Sequence, residues 1–107
     1  MMPKQTIEFR FDTQLLLDYY VDAGEDADDV ADELRDKIIK HLEENIKGDS
    51  MAIAASSDED DFGEKANVKV HYHTNEPWQV LEYCRSLGEI YDIVVEDMDR
   101  QSRDLKG

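Results

Sequence analysis

The chain has 107 residues and a formal charge of −15, from 27 acidic against 12 basic side chains. It is of single-domain size, and its charge repels a phosphate backbone, which argues against direct binding of DNA or RNA. One cysteine excludes an internal disulfide and a cysteine-based zinc knuckle, and with no leader-like stretch near Met1 and no apolar run of membrane-spanning length the expected location is cytoplasmic.

From Thr6 to Leu17 apolar and polar residues alternate. Ile7, Phe9, Phe11, Thr13, Leu15 and Leu17 fall on one side, and Glu8, Arg10, Asp12, Gln14 and Leu16 on the other. That period of two predicts a long first strand with one buried face. An acidic connection from Asp18 to Ala27 follows, and either Asp26 or Asp28 can cap the next element. Val30, Leu34, Ile38, Leu42 and Ile46 recur every four residues, predicting an amphipathic helix closed by Lys47 and Gly48. His41 reads as a flank residue of that helix. Ser50 to Ser56 predicts a short second strand. The acidic run Ser57 to Lys65 predicts a solvated hairpin connection, since it lacks the ligand register and closing glutamate of a calcium loop.

In Asn67-Val68-Lys69-Val70-His71-Tyr72-His73-Thr74 the alternation returns, so His71 and His73 leave one face of a third strand about 7 Å apart. Two imidazoles so placed suit a metal ion or an anionic group, although a merely solvated face carries histidines too. Asn75 is a candidate cap for a second helix, with Pro77 in its first turn and Val80, Leu81, Cys84 and Leu87 as its buried stripe up to Gly88. Cys84 reads as a small core hydrophobe, while Trp78 fits either the core or an exposed contact. A last strand spans Ile90 to Met98 with Tyr91, Ile93 and Val95 inward and Asp92, Val94 and Glu96 outward. Residues 99–107 read as a charged tail or linker after a single domain with its core at about 6–98.

The order β-α-β-β-α-β predicts an α+β fold, the ferredoxin-like split sandwich: a four-stranded antiparallel sheet with both helices on one face. The first and third strands are expected side by side at its centre, running parallel. Parity then gathers Asp12, His71 and His73 on the open face, the donor set of a two-histidine, one-carboxylate metal site. Register is not encoded in the pattern, so the expectation is a shared face rather than a distance.

Gly48-Asp49-Ser50, Val68-Lys69-Val70-His71-Tyr72-His73-Thr74-Asn75-Glu76-Pro77, Val80-Leu81-Glu82-Tyr83, Gly88-Glu89 and Glu96-Asp97-Met98 together resemble the middle domain of the fatty-acid kinase A subunit. The same domain joins a dihydroxyacetone-kinase-like domain to a DegV-type domain in related proteins. The resemblance runs from about Glu8 to Leu105 and is most specific in the histidine-containing half. It implies that a family cysteine and two histidines form one cluster. Here Phe11-Asp12-Thr13-Gln14 stands where the family has Tyr-Cys-Thr-Glu, so the cluster would pass to Asp12, His71 and His73. Aspartate is a harder ligand than thiolate, which moves the preference from zinc toward manganese or iron. Trp78 replaces a family glycine.

The resemblance implies an accessory domain working beside kinase-like and DegV-type fatty-acid-binding partners, with homodimerisation a further option and no catalysis of its own. No Gly-rich phosphate loop follows any strand, so no nucleotide site is expected here. Two other readings stand beside it: a small metal-dependent hydrolase or lyase using the same three residues, and an acidic protein-interaction module.

Overall fold

In the structure, a computed structural model, residues 8–102 are described. The elements are β1 (Phe11–Tyr20), α1 (Ala27–Asn45), β2 (Gly48–Asp60), β3 (Gly63–Thr74), α2 (Pro77–Leu87), β4 (Glu89–Asp97) and the short α3 (Met98–Ser102). The four strands form one sheet in the order β2-β3-β1-β4, with every neighbouring pair antiparallel. This is the α+β arrangement expected from the element order.

One expectation about it is wrong. β1 and β3 are antiparallel, not parallel. The crossover through α1 returns the chain in the direction of β1, and the hairpin into β3 then reverses it, so the central pair must oppose each other.

α1 starts where the acidic run supplies a cap. The Asp26 carboxylate accepts from the backbone N–H groups of Asp28 (2.9 Å) and Asp29 (3.2 Å), satisfying two otherwise unpartnered donors. Its stripe Ala31, Leu34, Ile38 and Leu42 meets Leu15 and Leu17 of β1 and Val68, Val70 and Tyr72 of β3 in one buried cluster. Val80 and Cys84 of α2 join the same cluster, so both helices cover the same sheet face. Each fully buried Leu or Ile contributes about 2 kcal/mol by removal from water. Gly48 is required on steric grounds, because a Cβ there would collide with the His73 carbonyl and the Tyr72 ring.

The second strand is far longer than Ser50 to Ser56. β2 and β3 pair without interruption from Ala52↔His71 to Asp60↔Gly63, and Asp61-Phe62 makes the turn. The stretch 57–65 is therefore strand on both sides of a tight turn, not a loop. Its residues carry no apolar alternation because this end of the hairpin is solvated on both faces, yet Asp58 opposite Lys65 favours the pairing. Phe62 stands 86% exposed at the tip.

Other boundaries also move. β1 begins at Phe11 and continues to Tyr20, beyond the expected end at Leu17; Thr6 and Ile7 lie outside the described residues. Asn75 does not cap α2. Its amide instead clips the chain entering β1, accepting from Arg10 N (2.7 Å) and donating to Glu8 O (2.9 Å). The N-cap of α2 is Glu76, which makes no side-chain capping bond. The expected tail opens with α3 at Met98, whose N–H donates to Arg10 O (2.8 Å); residues 103–107 lie outside the described residues.

The inward and outward faces of β4 also differ from simple alternation. Ile90 pairs with Leu17 and Tyr91 with Leu16, whereas Val94 pairs with Gln14 and Val95 with Thr13. The register shift between these pairs is a bulge at Asp92, whose φ of 50° is left-handed. Tyr91 therefore shares the open face with Val94, and Ile93, Val94 and Val95 are all substantially exposed on this edge strand.

Candidate metal centre on the open sheet face

β1 and β3 supply the centre of the open face. Asp12 pairs with His73 and Gln14 with His71, so alternation sends all four side chains to the side opposite the helices. Asp12 Oδ1 lies 3.0 Å from His71 Nε2 and 3.7 Å from His73 Nε2. The two imidazoles meet nearly edge to face, with centroids 4.9 Å apart and ring planes at 77°. One ligand atom from each of the three residues can be chosen so that all lie within 4.8 Å of one another. The expected trio is thus brought together.

These distances can be tested against a bound cation. Ligand atoms about 2.0–2.2 Å from a tetrahedral metal stand roughly 3.3–3.6 Å apart. The observed 3.0 and 3.7 Å straddle that range. The side chains of Asp12, His71 and His73 are 17, 30 and 22% exposed, so they are sheltered yet reachable. Two neutral imidazoles and one carboxylate, with positions left for water or a partner's ligand, fit a divalent cation.

Two neighbours escape a reading of the sequence alone. Gln14 Nε2 donates to the Asp12 carboxylate at 3.1 Å (Oδ2) and 3.4 Å (Oδ1), which fixes its orientation. Asp49 is the second, with Oδ1 3.7 Å from His73 Nδ1. Across the sheet Asp49 pairs with His73, His73 with Asp12, and Asp12 with Glu96, so one residue from each strand forms a polar row. The outward position of Gln14 was legible from parity. Asp49 was not, because the register of β2 breaks between Asp49 and Ala52.

The other end of the open face carries an ionic network instead. Lys65 Nζ lies 3.0 Å from Asp18 Oδ2 and 3.6 Å from Asp60 Oδ2. Its hydrogen bond to Asp18 raises the lysine pKa above its usual range. Tyr91 donates to Asp18 (3.0 Å) and Tyr20 to Asp60, which joins three strands near the start of the hairpin arm.

The remaining singled-out residues lie among or over the helices. His41 stacks flat on Tyr83, centroids 3.6 Å apart, at a flank of α1 as expected. Trp78 is exposed rather than core. Cys84 is wholly buried, and burial pushes its thiol pKa up to about 12, as suits a packing residue.

Compared with known families, the chain matches the FakA-like middle domain, the middle domain found in the A-type subunit of fatty acid kinase, over residues 8–105. It belongs to that family. No curated protein and no solved structure matches it. Among the described residues no helix is long and apolar enough to cross a membrane.

Proposed function

We propose that this chain is a non-nucleotide-binding accessory domain of a fatty-acid-kinase-like assembly, holding a divalent cation at Asp12, His71 and His73. The carrying observation is the convergence of one carboxylate oxygen and two Nε2 atoms at 3.0 and 3.7 Å on neighbouring central strands. Zinc, manganese and iron all accept such a donor set, and the carboxylate favours the harder ions relative to a thiolate site. A bound cation would supply a fixed positive charge and open coordination positions. The protein's part is to hold the three donors, with Gln14 keeping Asp12 turned toward the imidazoles.

In this reading the open face contacts a kinase-like domain, a DegV-type fatty-acid-binding domain or a second copy of the chain. The family match supports a kinase-linked context. The exposed apolar side chains Tyr91 and Val94 on that face, with Ile93 and Val95 on the same unpaired edge, support a protein contact there.

Elemental analysis of the tag-free chain, beside H71A/H73A, tests the cation. Stoichiometric metal in the wild type that is absent from the double variant is expected. Wild-type protein that stays metal-free after titration with zinc and manganese would refute the proposal. Turnover of model esters or phosphoesters by the isolated, metal-loaded chain would favour the hydrolase reading over the accessory one.

A further inference from the structure

We infer that Asp49 is a positioning residue for the candidate metal centre, holding His73 by Nδ1 so that Nε2 is presented to the cation. The inference rests on the cation reading of Asp12, His71 and His73 and adds a part to it.

Geometry on both sides of the imidazole carries it. His73 Nε2 faces Asp12 Oδ1 at 3.7 Å, and His73 Nδ1 faces Asp49 Oδ1 at 3.7 Å. The ring is spanned by two carboxylates, one for each nitrogen. A cation-binding histidine commonly donates its second N–H to a carboxylate, which fixes the tautomer and strengthens the ligating nitrogen. Asp49 stands where that acceptor is needed. His71 has no such neighbour on β2, because its partner there is Ala52.

The backbone is shaped for the purpose. Asp49 pairs with His73 and Ala52 with His71, so three steps on β2 oppose two on β3. Regular alternation would send residues 49 and 52 to opposite faces. The extra residue restores both to the open face, and Ser50 adopts a left-handed φ of 54° to accommodate it. A strained non-glycine conformation beside a ligand-bearing strand is a feature that the surrounding structure must hold in place. Here it aims a carboxylate at the free nitrogen of His73. Asp49 is 59% exposed, so removing its carboxylate leaves the core intact.

The test compares the full chain with D49A, D49N and D12A by competition of zinc and manganese against a chromophoric chelator. Long-range 1H–15N spectra report the His73 tautomer in the metal-free proteins, and circular dichroism checks folding. D49A should weaken zinc binding about 10- to 100-fold, and His73 should lose its Nδ1–H tautomer. D49N should fall between, because its amide oxygen still accepts a hydrogen bond, and D12A should lose binding. Equal affinity and an unchanged His73 tautomer in D49A would overturn the role of Asp49 while leaving the cation site standing. Absence of binding by the wild type would instead bring down the cation reading, and this inference with it.

Discussion

The hydroxyl of Tyr72 donates a 2.6 Å hydrogen bond to the carbonyl of Ile46, the residue that ends α1. Tyr72 is buried, so the bond lies in a low-dielectric setting and ties β3 to the helix terminus. Tyr72→Phe leaves that carbonyl without its partner and should lower stability by about 1–2 kcal/mol. Urea unfolding measures this, with an unchanged slope showing that only the native state is affected. An unchanged midpoint would mean the carbonyl finds another donor.

Directly across β1 from Tyr72 sits the opposite case. Thr13 is fully buried, and its Oγ1 has no hydrogen-bond partner. Valine has nearly the same shape without the polar atom. Thr13→Val should stabilise the fold by about 1 kcal/mol, visible as a higher thermal midpoint. Destabilisation would reveal that the hydroxyl is satisfied in solution.

Ser50 holds its left-handed φ of 54° with a side chain that disfavours it. Ser50→Gly relieves that strain but adds freedom to the unfolded chain, for a net gain of about 0.5 kcal/mol. Chemical denaturation checks the sign. Ser50→Val should move the opposite way, because a β-branched residue fits the left-handed region worst.

Arg10 donates from Nε and Nη2 to the two oxygens of Asp97, at 2.9 and 2.7 Å. That hydrogen-bonded pairing lowers the Asp97 carboxyl from 3.8 to about 2. The unfolded state therefore binds its proton first as pH falls, and stability from this group declines with acid. The contribution is complete above about pH 4 and disappears as pH approaches about 2. Urea midpoints of wild type and Arg10→Met should differ steadily from pH 4 to 7 and converge below that. A gap that widens in acid would contradict the assignment.

Cys84 is sealed between α2 and the sheet, with its thiol pushed up to about 12. At pH 8 it is both inaccessible and protonated, so a thiol reagent should react only through opening of the fold. Labelling should be slow in native buffer and rise along the urea transition. Rapid stoichiometric labelling of the folded chain would place Cys84 elsewhere.

Periodicity carried the element order and much of the candidate site. Leu34, Ile38 and Leu42 mark α1 by spacing, and the even-numbered Asp12 and odd-numbered His71 and His73 fall on the open face through strand parity alone. Parity fails where the backbone adds a residue. The bulges at Ser50 and Asp92 move Asp49 and Tyr91 onto a face that alternation denies them, and no local apolar pattern announces either one. The hairpin arm was illegible for a different reason. From Asp58 to Lys65 the strands bury little, so their backbone pairing leaves no hydrophobic trace in the sequence. Asn75 shows the limit of local rules, since it sits one step before a helix cap and spends its amide on the approach to a strand 65 residues away.

The central position of β1 also sets the timetable of folding. Phe11 pairs with Thr74 on one side and with Asp97 on the other. The first strand to leave a ribosome is thus the last to have both edges filled. Until residues beyond Glu89 emerge, the run Leu15-Leu16-Leu17 keeps one open edge capable of pairing with another chain. Such distant partnerships slow folding, because the long loops must close before any pairing rewards them. Nascent chains stalled before β4 should be the species that chaperones hold and that aggregates collect.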